Sequence, residues 1–445
     1  MPAPSLGLAR CLPSLKIYMP PSGSASLATR RVEPRAGGRV RCGIASPASH
    51  THMATSLVSH GSTSVSRTAA PARALPLHLI AVVLGATSIL VGLIWDISWH
   101  MTIGRDTFWT PAHMAIYFGG TLAGLSCGAR VLANSFWRKD THAADGVRLW
   151  KFFTGPIGGW ICIWGALAML TSAPFDDWWH NAYGLDVQIL SPPHVVLLIG
   201  LLGILIGAQT MAVSSQNAEG DTTARATVVA FASGVLLTLA AIAITEYSDV
   251  RIMHNSLFYI VSGGVYPMFL VAASRASRLR WPATATAAFY MCIMAAQLWI
   301  FPLFGATPKL GPIGHEVTHM VPMNFPLLLI IPALVVDLVL QRMAHRNAWL
   351  TAFVLGLSFV LAYLAVQWPF GSLLATEIGR HPFFGGGFAP YSAPADWLVG
   401  PREFWMEDGG AAVAVTKAMT WGVLAAVLSS RVGLAWGGWL REVKR

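Results

Sequence analysis

From Pro76 to His113 the chain reads PLHLIAVVLGATSILVGLIWD, then ISWHMTIGRDTFWT, then PAH. No Asp, Glu, Lys or Arg interrupts the stretch from Leu77 to Trp95. A helix needs roughly 20 apolar residues to cross the hydrocarbon layer of a bilayer. In lipid every backbone N–H and C=O must find its partner inside the segment, so an unbroken apolar run is a helix. The strands of a membrane barrel would alternate apolar and polar residues, which these residues do not. The run ends on an acid, Asp96, followed by His100 and, after a short polar turn, His113.

Working outward, similar runs recur at 153–174, 192–214, 225–245, 256–274, 282–303, 323–341, 348–367 and 411–432, besides 76–96 and 111–134. The expected fold is an all-α polytopic transmembrane bundle of about ten spans. Composition agrees: 11% of residues are charged, against about a quarter in soluble domains, and mean hydropathy is +0.56. The net charge of +10 does not indicate nucleic acid, because Lys and Arg sit in short loops between spans, where the positive-inside rule places them. The partner this implies is the lipid bilayer. Cys11, Cys42, Cys127, Cys162 and Cys292 lack CxxC spacing and read as small apolar residues rather than a disulfide or thiolate framework.

Loop charge predicts orientation. Arg130, Arg138, Lys139, Arg148 and Lys151 follow span two, and Arg275, Arg278 and Arg280 follow span six. Arg342 and Arg346 follow span eight, and Arg441, Lys444 and Arg445 close the chain, with Arg225 a weaker signal after span four. These share one side, which places both termini in the cytoplasm and the protein in the inner (cytoplasmic) membrane. The opposite, periplasmic face then carries His100, His113, His180, His194, His254, His315, His319 and His381. Residues 1–75, rich in Ala, Ser, Pro and Arg, read as a disordered leader or as sequence upstream of a start at Met53. Residues 76–215 form a four-helix unit, and 216–445 supply further helices with a long outer loop at 368–410.

That four-helix unit contains a repeat. Asp96, His100, Gly104 and Asp106 reappear as Asp176, His180, Gly184 and Asp186, each 80 residues on, and Pro111 and His113 reappear as Pro192 and His194, one residue further. Residues four apart share a helix face. Asp96 and His100 therefore point together at the end of span one, and His113 falls in the first turn of span two. Each antiparallel pair would bring one carboxylate and two imidazoles to a common point. That donor set suits Cu(II), Zn(II) or non-haem Fe(II), and it contains no sulfur. A purely structural alternative is an interfacial aromatic belt of Trp95, Trp99, Trp109, Trp178 and Trp179, with Asp106 and Asp186 capping helices. Acids placed near membrane depth are costly unless partnered, which favours the metal reading.

Arg105-Asp-Thr-Phe-Trp-Thr-Pro-Ala-His113, preceded by Asp96-x3-His100, resembles a metal-binding membrane subunit of the copper membrane monooxygenases, the particulate methane, ammonia and short-alkane enzymes. In that family an Asp-x3-His-x12-His set holds one metal, which Asp96, His100 and His113 match. An Asn-x3-His-x13-His set is implicated in a further copper site, and Asp176, His180 and His194 match its spacing with Asp in place of Asn. The resemblance covers about residues 76–215. It implies a copper-dependent monooxygenase subunit oxidising a small apolar substrate with dioxygen, working beside two other subunits. The residues alone leave open iron or zinc in place of copper, and a homo-oligomer. They also leave open a transporter or assembly factor handling metal ions or protons, and a structural subunit without activity.

Three other features invite a functional reading. His315-Glu-Val-Thr-His319 spells the zincin HExxH, but Pro308, Gly311, Pro312, Gly314 and Pro322 leave little room for the helix it requires. Glu246, Asp249, Arg251 and His254 follow span five, either as partners orienting metal-bound imidazoles or as a solvated ion cluster. The 368–410 loop, with Glu377, Arg380, His381, Trp397 and Trp405, reads as a packed lid over the outer face.

Overall fold

The computed structural model describes residues 74–444 except 105–106, 138–145, 185–190, 220–221, 344 and 396–405. The reading of the N-terminal segment, and those of Asp106, Asp186, Trp397 and Trp405, therefore lie outside the described residues. Ten helices follow in chain order: α1 Leu77–Thr102, α2 Pro111–Leu132, α3 Ile157–Tyr183, α4 Pro192–Glu219, α5 Thr223–Ala243, α6 Ser256–Ala276, α7 Pro282–Ile300, α8 Ile330–Arg342, α9 Ala348–Ala375 and α10 Ala411–Glu442. Between α2 and α3 a small hairpin pairs β1 Val147–Leu149 with β2 Phe153–Gly155, antiparallel. Nine of the helices are long and apolar enough to cross a membrane, and the protein is a multi-pass, all-α membrane bundle.

Local chemistry sets the helix starts. Thr110 accepts the His113 N–H at the head of α2, with Pro111 in the first position, where its missing donor costs nothing. Asn347 accepts from Trp349 and Leu350 at the head of α9, and Asn255 accepts from Leu257 at the head of α6.

The eighth crossing corrects the expected span at 323–341. Its helical part is only α8, 13 residues long, and the chain before it, from Val321 to Leu329, has no regular structure. Pro322 and Pro326 are the reason: each lacks an N–H and drives the residue before it out of the helical region. Irregular backbone survives at membrane depth only when protein buries and pairs it. Here Gln297 exchanges two hydrogen bonds with Met323, Tyr290 Oη accepts from Leu327 N at 3.0 Å, and Gln367 Oε1 accepts from Leu328 N at 3.0 Å. At the outer margin Thr102 Oγ1 accepts from Val321 N, and Ser98 Oγ donates to Val321 O. The buried polar side chains Gln297, Gln367, Thr102 and Ser98 thus replace the hydrogen bonds a helix would have made.

One end of the bundle gathers the histidines. Tyr391 N donates to Met101 O and Lys309 N to Ile103 O, so the post-α9 loop and the pre-α8 segment both close on the end of α1. Asn324 Nδ2 donates to Asp249 Oδ2, joining the same end to the α5–α6 connection. The described part of the 368–410 segment is packed, with Phe325, Phe370, Phe383 and Phe384 in mutual ring contact.

At this end Glu407 ties the head of α10 to α6: it accepts from the N–H and hydroxyl of Ser256 and pairs with Lys417. The Lys417 ammonium first, and the Ser256 hydroxyl second, hold its carboxyl at about 2, below its usual 4.5. A depressed folded-state pKa gives stability that is fully present above about pH 4.5 and lost as pH falls toward 2. Glu407→Gln is expected to cost about 1 kcal/mol at neutral pH, with the gap to wild type closing through that acid window. Thermal denaturation in detergent across the pH series checks this. A constant gap at all pH values would show that the carboxylate charge contributes nothing.

Candidate metal centre

The path to the site begins in the helix seams. On α1, Gly85, Ile89, Gly92 and Asp96 recur at intervals of four, three and four, a single face of a helix. A Cβ added at Gly85 would lie 2.7 Å from the Gly119 carbonyl oxygen of α2, and one at Gly92 would lie 2.7 Å from Ile116 Cγ1. The backbones of α1 and α2 therefore touch along this stripe, and Asp96, its next member, must face α2. On α3 the stripe is Gly165, Met169, Ser172 and Asp176. A Cβ at Gly165 would stand 2.8 Å from Gly200 O and 2.8 Å from Ile204 N of α4. Gly165, Met169 and Asp176 are 80 residues beyond Gly85, Ile89 and Asp96, whereas Gly200, Ile204 and His194 are 81 beyond Gly119, Ala123 and His113. The repeat thus extends three turns into the membrane. Reading the polar residues alone missed it, although glycines at the same offset were there to be found.

At the ends of these seams the acids meet the imidazoles. In the α3–α4 hairpin His180 Nε2 lies 3.4 Å from Asp176 Oδ2 and His194 Nε2 lies 3.2 Å from Asp176 Oδ1. One donor atom from each of the three residues falls within 4.8 Å of the others, and all three side chains are partly buried. Among the described residues, this is the set of His, Cys, Asp or Glu that meets that closeness. In the α1–α2 hairpin Asp96 lies 3.3 Å from His113 and 3.8 Å from His100, whose side chain is 48% exposed. The structure brings both acids to both of their histidines, and the second set is the tighter.

Two details fit a cation. Asp96 Oδ1 and Asp176 Oδ1 are buried and accept no hydrogen bond, although an imidazole nitrogen stands beside each. Ligand atoms sharing one ion at about 2.0–2.2 Å are held about 3–3.5 Å apart, which is the spacing found around Asp176. His180 Nδ1 lies 3.2 Å from the Gly184 carbonyl. With Nδ1 donating there, the Nε2 lone pair faces Asp176, the orientation that metal-bound imidazoles take from a backbone partner. Gly184 and its counterpart Gly104 both have positive φ, 94° and 77°, a region that favours glycine. A Cβ at Gly104 would also collide with the Tyr391 ring.

The other expected features stand apart from this centre. His315 and His319 lie in extended chain, with a bridge between Gly305 and His319, so they do not share the helix face that a zincin needs. His315 Nδ1 lies 2.9 Å from Ala393 O, a structural tie. Asp249 pairs with Arg251 and Asn324, and His254 contacts the Trp368 carbonyl and Ser372 Oγ. Burial holds the His254 imidazole below its usual 6.5, against the pull of the Trp368 carbonyl. These groups brace loops. Cys127 and Cys162 are buried, as their apolar surroundings suggested, and Cys292 is exposed.

The fold and site define a multi-pass membrane protein with a duplicated aspartate–histidine hairpin, a group that can bind a metal. No protein-family model, curated protein or solved structure matches the chain.

Proposed function

We propose that this protein is a membrane metalloprotein of the copper monooxygenase type, with Asp176, His180 and His194 holding one metal ion and Asp96, His100 and His113 a second. The observation that carries the reading is the Asp176 carboxylate oxygen, buried without a hydrogen bond between two imidazoles of the α3–α4 hairpin. Two nitrogens and one oxygen with no sulfur suit copper(II), and would also accept zinc or iron(II). A bound copper ion would supply the redox chemistry with dioxygen that oxidation of a small apolar molecule requires.

The chain's own residues do the rest. The Gly184 carbonyl fixes the His180 ring, and the seam glycines fix the separation of the two helices. Phe175, Trp178 and Trp179 form a stacked and edge-on aromatic wall on the ligand helix. Trp178 is exposed on the helix surface, where an apolar substrate dissolved in lipid would arrive. Partner subunits would complete the reaction by delivering electrons.

The test is elemental analysis of the full-length protein purified from copper-replete cells. One to two copper ions per chain are expected, and the absence of stoichiometric copper, iron and zinc would overturn the proposal. A second reading, a metal or proton transporter, draws on the broken eighth crossing, since discontinuous helices mark many transporter sites. Against it, the protein itself satisfies the freed backbone groups Met323, Leu327 and Leu328. Metal uptake into proteoliposomes, lost when Asp176 is replaced, would favour that reading instead.

A further inference from the structure

At the end of the bundle opposite the histidines, the tips of α6, α8 and α10 and the α6–α7 and α8–α9 connections enclose a cavity of about 490 Å3. Its lining includes Arg275, Arg278, Arg280, Arg346 and Arg441, with Asp337 as the acid among them. Orientation by loop charge accounts for arginines at this end; it does not account for five of them converging on one hollow. Asp337 cannot neutralise them. Its two oxygens already accept from the Ser274 hydroxyl, the Ala283 and Thr284 N–H groups and the Thr284 hydroxyl, and it is 1% exposed.

The arginines themselves are short of counter-charge. Among the described residues no carboxylate pairs with Arg275, Arg280, Arg346 or Arg441. Arg275 Nε is buried and makes no hydrogen bond. Its stem is clamped where α6 crosses α10, because a Cβ at Gly437 would lie 2.7 Å from Arg275 Cβ. Arg441, four residues after Gly437, shares that face of α10. The clamp therefore holds two guanidinium groups along one seam, and like charges so held repel unless an anion lies between them. Guanidinium forks match the oxygens of phosphate, often two bonds at a time. A cavity of this size holds a small ligand or headgroup.

We propose that this cavity binds a phosphate-bearing anion, either the headgroup of an acidic phospholipid or a free phosphate species. Basic pockets between membrane helices commonly take such headgroups. The site is separate from the aspartate–histidine centre and does not depend on its occupancy.

The full-length protein in nanodiscs of phosphatidylglycerol mixed with phosphatidylcholine, or of phosphatidylcholine alone, tests the lipid source. Retained lipid is counted by mass spectrometry, and the thermal midpoint is followed in parallel. In detergent, millimolar inorganic phosphate is compared with chloride at equal ionic strength. Arg275→Gln and Arg346→Gln are expected to reduce retention or affinity about tenfold each, the loss of one charge-assisted contact. Arg346 is exposed in a loop, so its variant keeps the test valid if Arg275→Gln fails to fold. Retention of phosphatidylglycerol by wild type, weakened in the variants, identifies a lipid headgroup. Protection by inorganic phosphate alone, weakened in the same way, identifies a free anion. No preference for either probe, or equal binding by wild type and Arg346→Gln, would overturn the proposal.

Discussion

His194→Ala is expected to lower metal affinity at the α3–α4 centre by about 100-fold or more, with the purified variant holding about one ion fewer than wild type. Removing even a residue that only orients a ligand costs about 10–100-fold, and His194 is itself one of three donors converging within 4.8 Å. Its loss leaves one carboxylate and one imidazole, a set that water readily displaces. Asp176→Asn should weaken dication binding less severely, because the amide oxygen keeps the position but loses the charge. His100→Ala should leave the α3–α4 ion in place, since the two hairpins hold separate acids. Elemental analysis with competitive chelator titration measures all three variants. Full stoichiometry and unchanged affinity in a His180→Ala/His194→Ala double variant would sink the assignment of these residues as ligands.

Gly165→Leu should be the most damaging single substitution away from the ligands. Its first side-chain carbon would enter space 2.8 Å from the Gly200 carbonyl and the Ile204 N–H, and these are backbone atoms that cannot rotate aside. Overpacking of a close-fitting core costs about 1–3 kcal/mol, sometimes more, and here α3 must move bodily off α4. The expected result is a large loss of monodisperse protein, with metal lost from whatever folds, because Asp176 and His194 are held together by this seam. Gly165→Ala should do the same more mildly. Gly128→Leu is the control, since nothing lies within 4 Å of its added Cβ. Size-exclusion profiles and thermal midpoints report the outcome. A Gly165→Leu protein as stable as the Gly128→Leu control would show that the seam is not close-packed in the membrane.

Much of this was legible in the sequence because its cause is local. An apolar run from Leu77 to Trp95 has one low-energy solution in lipid, so the helical class and nine of the ten crossings could be read directly. The i, i+4 spacing of Asp96 with His100, and of Asp176 with His180, fixed each pair to a common face before any partner helix was known. Pro322 and Pro326 carried the signal for the broken eighth crossing. Hydropathy averaged over the window concealed it, because Pro between Met, Phe and Leu hardly lowers the mean.

What the sequence alone determined is the membrane-spanning helical class, the spacing of the duplicated acid and histidines, and their place at the ends of hairpins. Only the tertiary structure decided that Asp176 faces His194 at 3.2 Å, that Gln297, Tyr290 and Gln367 rescue the broken crossing, and that five arginines ring one cavity. Helix periodicity is a property of one segment. The close approach of two helices depends on both faces at once, and glycines matter there for the side chain they lack, which no single apolar run reveals. The duplicated motif supplied the donors, and the glycine seams between the helices brought them together.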